Sequence, residues 1–80
     1  MKIQVLLFGI TTDLLGTSSL KIEVPPNCSI SIMKELLLQE YPQLKNINSY
    51  AIAVNEAYAT DETILKENDV VAIIPPVSGG

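Results

Sequence analysis

Eighty residues make a single small domain, near the lower limit at which one hydrophobic core holds without metals or disulfides. The composition is 48% hydrophobic and only 18% charged, which argues against disorder and predicts some apolar surface left over for a partner. The net charge is −4, with five lysines and no arginine, so the basic patch that nucleic-acid phosphates require is missing and a basic protein partner is the better match.

Residues 2–8 read as a strand, with Ile3, Val5 and Leu7 on one face and Lys2, Gln4, Leu6 and Phe8 on the other. Leu6 and Phe8 are apolar where solvent favours polar residues, so that end of the strand is expected to be buried on both sides or covered by a partner. Residues 9–16 form a short irregular or single-turn piece, with Asp13 among Thr11 and Thr12 as candidate caps and Gly16 as its stop. Residues 19–24 alternate Leu20, Ile22 and Val24 with Ser19, Lys21 and Glu23, the pattern of a half-exposed antiparallel strand, and Pro25-Pro26 ends it.

A helix is predicted from its N-cap Ser29 to about Tyr41, where Pro42 disfavours helical geometry in the residue before it. Ile30, Met33, Leu37 and Tyr41 share one stripe and should face the sheet. Ile32, almost opposite Ile30 at about 100° per residue, is expected to be partly exposed. Residues 45–49 read as a polar loop, 50–54 as a third strand, Asn55-Glu56 as a tight turn and 57–59 as a short fourth strand. After residues 60–66, Glu67-Asn68-Asp69 makes another turn, with asparagine suited to the left-handed conformation. Residues 70–74 are almost uninterruptedly apolar, as in a strand buried on both faces, central in its sheet and beside a parallel neighbour. Strand, strand, helix, strand, strand, strand is the order of an α+β, ubiquitin-like β-grasp. Its mixed sheet with one crossover helix would occupy residues 1–74, and 75–80 would form an extended tail.

Little in this chain offers side-chain chemistry. There is no histidine, which removes His-based acid-base catalysis and His metal ligation. Cys28 stands alone between Pro-Pro and the helix cap; it reads as a structural thiol, with a sulfur carrier the lesser alternative, and it cannot form an internal disulfide. With no signal peptide opening the chain, a cytoplasmic location is expected. Asp61, Glu62, Glu67 and Asp69 lack metal-loop spacing and read as solvated turn charges. Gly9 and Gly16 are isolated, so no phosphate loop is present and no bound cofactor is expected. No apolar run approaches the roughly 20 residues that a membrane span needs.

The remaining candidate is the tail, Pro75-Pro76-Val77-Ser78-Gly79-Gly80. Glycines lack Cβ, so a Gly-Gly end passes through a channel too narrow for other dipeptides. Its carboxyl, with an ordinary pKa of roughly 3.3 to 3.7, is an unreactive carboxylate until activated, for example as an acyl-adenylate. Pro75 and Pro76 stiffen the base and cannot extend a sheet ladder. Fully extended, the six residues reach at most about 20 Å. A frayed glycine-rich end is the plain alternative; the abrupt Pro-Pro shoulder after an apolar strand favours a presented tail.

The segment Asp69-Val70-Val71-Ala72-Ile73-Ile74-Pro75-Pro76-Val77-Ser78-Gly79-Gly80 resembles the end of the small subunits of molybdopterin synthase, the MoaD-type sulfur carriers. Val5-Leu6-Leu7-Phe8-Gly9, Asp13-Leu14-Leu15-Gly16, Tyr41-Pro42 and Ala53-Val54-Asn55-Glu56 also fall where that family has similar residues. Gly-Gly alone would suit a thiamine-type sulfur carrier or a ubiquitin-like modifier equally well. The resemblance implies that Gly80 is adenylated with ATP by a MoeB-type activating enzyme and converted to a thiocarboxylate (a C-terminal thioglycine). It then donates sulfur to cyclic pyranopterin monophosphate inside a MoaE-type large subunit, in a heterotetrameric synthase. It further implies that Gly79, Ser78, Val77, Pro76 and Pro75 fit the channel, and that Phe8, Tyr58 and Ile74 contact both partners; plain core packing is the alternative for these three. The chain departs from the family at Thr11 and Thr12, where an arginine is frequent, and at Asn68-Asp69-Val70, where Gly-Asp-Glu is common.

Overall fold

β1 (Lys2–Leu7) pairs antiparallel with β2 (Ser19–Glu23) on one side and parallel with β5 (Val70–Ile74) on the other. β5 in turn pairs antiparallel with β3 (Ala51–Val54), which carries the two-residue β4 (Ala57–Tyr58) at the edge. The computed structural model describes residues 1–46 and 50–75, and the resulting five-stranded sheet has the order β2-β1-β5-β3-β4. Helix α1 (Ile10–Leu15) lies in the β1–β2 connection, and helix α2 (Ile30–Glu40) with a following 3-10 helix (Pro42–Asn46) forms the crossover to β3. This is the β-grasp order that the sequence predicts, with β5 central and parallel to β1.

The core forms where alternation along the strands meets the inner stripe of α2. Ile3, Val5 and Leu7 of β1, Ile22 of β2, Ile52 of β3 and Val71 and Ile73 of β5 are buried against Ile30, Met33 and Leu37. Each such side chain, fully buried, contributes about 1.5–3 kcal/mol. Ser29 caps α2 as expected: its hydroxyl accepts from the Ile32 N–H at 3.2 Å. The Ile30 and Ser31 N–H groups donate to the Thr63 and Asp61 carbonyls, so the loop before β5 satisfies the remaining orphan donors of the first turn. Ile32 is partly exposed, as its helical angle predicts.

Several expectations are corrected. The first strand ends at Leu7, not Phe8, because the chain turns at Gly9, whose φ of 56° is left-handed. Of the two expectations for residues 9–16, irregular or single-turn, the structure shows a short helix of six residues over Ile10–Leu15. Neither Asp13 nor a threonine caps it, since no side chain accepts a hydrogen bond at its N-cap; Gly16, with φ 72°, does stop it. α2 ends at Glu40, with Tyr41 as its cap at φ −128° and ψ 76°, outside the helical region that a following proline disfavours. Lys45 belongs to the 3-10 helix rather than to a loop, while Ile47, Asn48 and Ser49 lie outside the described residues. β5 is not buried on both faces. Val71 and Ile73 are fully buried, but Val70, Ala72 and Ile74 are half-exposed, because α2 covers only one face of the sheet.

Burial of this kind predicts an asymmetry along α2. Leu37→Ala should lower the unfolding free energy by about 2–5 kcal/mol, and Ile32→Ala by no more than about 0.5 kcal/mol, as read from urea denaturation. Equal losses would contradict the packing of the Leu37 face on the sheet.

Candidate functional site

Because β1 and β5 run parallel in register, with Leu7 opposite Ile73, they finish at the same end of the sheet. Pro75, the last described residue, therefore lies beside the turn that follows β1, where Phe8 is 49% exposed. The face not covered by α2 carries a row of paired residues: Leu6 opposite Ala72, Ala72 opposite Ala53, and Ala53 opposite Tyr58. Ile74, opposite Ala51, is two residues beyond Ala72 and so on the same face. Tyr58 is 79% exposed, which rules out core packing as its role. The structure thus puts Ile74 and Tyr58 on one open, largely apolar face and Phe8 at its exit end. Pro76, Val77, Ser78, Gly79 and Gly80 lie outside the described residues.

The register that places Ile74 and Pro75 is set at the opposite end of β5. The Asn55 side chain donates to Asp69 Oδ1 at 3.0 Å and accepts from the Val70 N–H at 3.0 Å, while its own N–H donates to the Val70 carbonyl at 2.8 Å. Asp69 Oδ2 accepts from the Lys66 N–H, and Glu67 Oε2 accepts from the Lys2 N–H, both at 2.8 Å. Glu67 and Asp69 are therefore structural acceptors rather than free turn charges. A slip of one residue would exchange the buried and open faces of β5, so this clamp decides which side chains reach solvent. Asn55 and Glu56, with φ of 50° and 72°, make the tight two-residue turn expected between β3 and β4, and Asn68, at φ 67°, takes the expected left-handed position.

The family profile described as "ThiS family" matches residues 5–80. The chain belongs to the ThiS family. A molybdopterin synthase sulfur carrier subunit from Arabidopsis thaliana is 36% identical, over all of this chain and 84% of the relative. Among solved structures, SAMP1 from Haloferax volcanii superposes with a TM-score of 0.90 and covers both chains completely; at 19% identity it shows the shared fold. A chain from the protein–protein complex of subunits 1 and 2 of the molybdopterin-converting factor of Helicobacter pylori also covers both chains completely. Its TM-score is 0.72 and its identity 29%.

Away from the exit end, this ThiS-family domain holds two titratable groups in unusual settings. Cys28 is buried, donates its thiol to the Ser29 carbonyl at 3.3 Å, and has its pKa pushed up by burial. Its own carbonyl accepts from the Leu65 N–H, which closes the loop over it and fits the structural reading of this thiol. Tyr50 is half-buried, and burial raises its pKa; Lys34, 5.5 Å from the ring centre, lowers it, and Asp61 raises it. Asp61 is paired with Lys34 at 2.8 Å, so it too is more than a solvated turn charge, although an exposed pair of this kind contributes only about 0–1 kcal/mol. Among the described residues no three His, Cys, Asp or Glu side chains converge on a metal position, and no helix is long and apolar enough to cross a membrane.

The resemblance named Phe8, Tyr58 and Ile74, which the structure places at this end of the sheet or on its open face, but did not name the Leu6–Ala72–Ala53–Tyr58 row, whose only sequence signal was an apolar residue at the wrong parity in β1. It also missed the Asn55–Asp69 clamp, which joins two turns fourteen residues apart.

Both raised pKa values carry a sign. The unfolded chain ionises Cys28 and Tyr50 near their ordinary 9.0 and 10.0, whereas the fold keeps both protonated for longer. Their contribution to stability is complete below pH 9 and is lost as pH rises beyond it. Urea midpoints should fall between neutrality and about pH 10.5, and a Cys28→Ala/Tyr50→Phe variant should show a shallower fall. An unaltered slope would assign the effect to other groups.

Proposed function

We propose that this chain is the sulfur carrier subunit of molybdopterin synthase, acting in molybdenum cofactor biosynthesis. The observation that carries the reading is full-length identity of 36% with a relative of that name. The exit geometry supports it: β5 delivers Pro75 to an end of the sheet flanked by exposed apolar residues.

Alone, the domain is not a catalyst in this reading; it is the sulfur-donating half of a sulfurtransferase. The Gly80 carboxylate attacks the α-phosphorus of ATP on a MoeB-type activating enzyme, releasing pyrophosphate and leaving an acyl-adenylate. A sulfur nucleophile then displaces AMP, and the terminus becomes a thiocarboxylate. Sulfur is softer and more nucleophilic than carboxylate oxygen, so the tail can attack cyclic pyranopterin monophosphate once it enters the MoaE-type large subunit. Gly79, Ser78 and Val77 thread the channel, with Pro76 and Pro75 as the stiff base. Phe8, Tyr58 and Ile74 form the apolar surface that both partners meet. A partner of this kind is supported by the Helicobacter pylori chain, whose structure is a complex of subunits 1 and 2. The lone, buried Cys28 suits a reducing, cytoplasmic setting.

Incubation with the activating enzyme, ATP and a sulfur donor should raise the mass by one oxygen-for-sulfur exchange at Gly80, and deletion of Gly80 should abolish the gain. Recovery of Gly80 in an isopeptide bond to lysine, with no thiocarboxylate, would replace this reading with a protein-modifier role. Tyr58→Ala and Phe8→Ala should each weaken large-subunit binding by about tenfold in calorimetry, the loss typical of an aromatic anchor, while leaving the unfolding midpoint nearly unchanged.

A further inference from the structure

The turn after β1 is held more firmly than a surface turn requires. Thr11 is fully buried, and its hydroxyl accepts from the Phe8 N–H at 3.0 Å and donates to the Phe8 carbonyl at 2.5 Å. The Thr12 hydroxyl donates to the Leu7 carbonyl at 3.0 Å, and its N–H donates to the Gly9 carbonyl at 3.1 Å. Residues 7–12 therefore form a bracket with its backbone polar groups tied together. At its apex Gly9 has φ 56° and ψ −133°, a conformation open to glycine and strained for L side chains. A Cβ placed there would lie 3.2 Å from Pro75 Cγ, a distance at which one partner must give way. The apex of the bracket thus faces the first residue of the tail, and any side chain at Gly9 would require Pro75 or the turn to shift by a few tenths of an ångström.

We propose that Gly9 is a positioning residue: by presenting bare backbone it seats Pro75 against the β1–α1 turn and fixes the direction in which the tail leaves the sheet. Pro75 supplies the complementary half, since its ring holds φ near −65° and converts a contact on Cγ into an orientation of the following peptide. Five residues, at most about 18 Å of chain, follow Pro75, and all of them start from the direction that its peptide sets. The proposal rests on the sulfur-carrier reading for its kinetic consequence and on the Gly9–Pro75 contact for its structural one.

The test is a double-mutant cycle with steady-state adenylation by the activating enzyme, melting temperatures, and NMR of the free chain. Gly9→Ala should lower kcat about tenfold with KM within twofold, because docking through the sheet face is intact while the carboxyl is misplaced. Pro75→Ala should lower kcat less, by about threefold, since orientation is loosened rather than redirected. The double variant should return to the Pro75→Ala value, because removing Cγ makes room for the new methyl, yet it should keep the lowered melting temperature of Gly9→Ala. Losses that multiply in the double variant, or a Gly9→Ala chain with wild-type kcat, would overturn the proposal. If Gly9→Ala does not fold, Pro75→Ala with unchanged kcat overturns it equally. NMR is independent of the functional reading: the wild-type chain should show a Gly9 Hα to Pro75 Hγ cross-peak, and the Pro75 Hα–Cα dipolar coupling should change in Gly9→Ala. A wild-type chain that is never adenylated sinks the function and leaves the contact to be decided by NMR; absence of the cross-peak sinks the inference and leaves the function standing.

Discussion

The parallel pairing of β1 with β5 is the constraint on which the rest of this structure depends. These two strands are separated by most of the chain, so closing their ladder costs loop entropy that burial of Val5, Leu7, Val71 and Ile73 offsets. Parallel direction has a geometric consequence that an antiparallel pair would not have. Both strands end together, so the turn after β1 and the start of the tail become neighbours. An antiparallel β5 would deliver Pro75 beside Lys2, at the polar end of the sheet.

The second consequence is a sheet with unequal faces. α2 supplies Ile30, Met33 and Leu37 to one side, and nothing among the described residues covers the other. On that side Ala53 is buried among its neighbours, Ala51, Ala72, Leu6 and Ile74 are half-exposed, and Tyr58 stands free. Exposing such side chains gains no folding energy, so their presence is better explained by what docks there than by what the domain needs for itself. Pro75 and this face are adjacent because Pro75 follows directly on β5, whose Ile74 belongs to the face.

Polar groups determine the details that apolar packing leaves free. Hydrophobic burial is non-directional and would tolerate small shifts of β5 along β1. Asn55, Asp69 and Glu67 remove that freedom with bonds to backbone N–H groups of Val70, Lys66 and Lys2. Thr11 does the same at the other end of the sheet, and being buried it cannot exchange its partners for water without cost.

Much of this was legible in one dimension, because it depends on neighbours in sequence. Alternation placed Ile3, Val5 and Leu7 in the core, Ser29 and Pro42 bounded α2 to within a residue or two, Asn68 marked one left-handed position, and Gly16 marked the stop of α1. The apolar run of β5 announced a central strand beside a parallel neighbour. The tertiary structure alone decided that one face of β5 stays open, that Phe8 leaves the strand, that the carboxylates Asp61, Glu67 and Asp69 have protein partners, and that Gly9 faces Pro75. The physical reason is range: periodicity and caps act over three or four residues, whereas these outcomes rest on contacts between segments that only the folded sheet brings within a few ångströms.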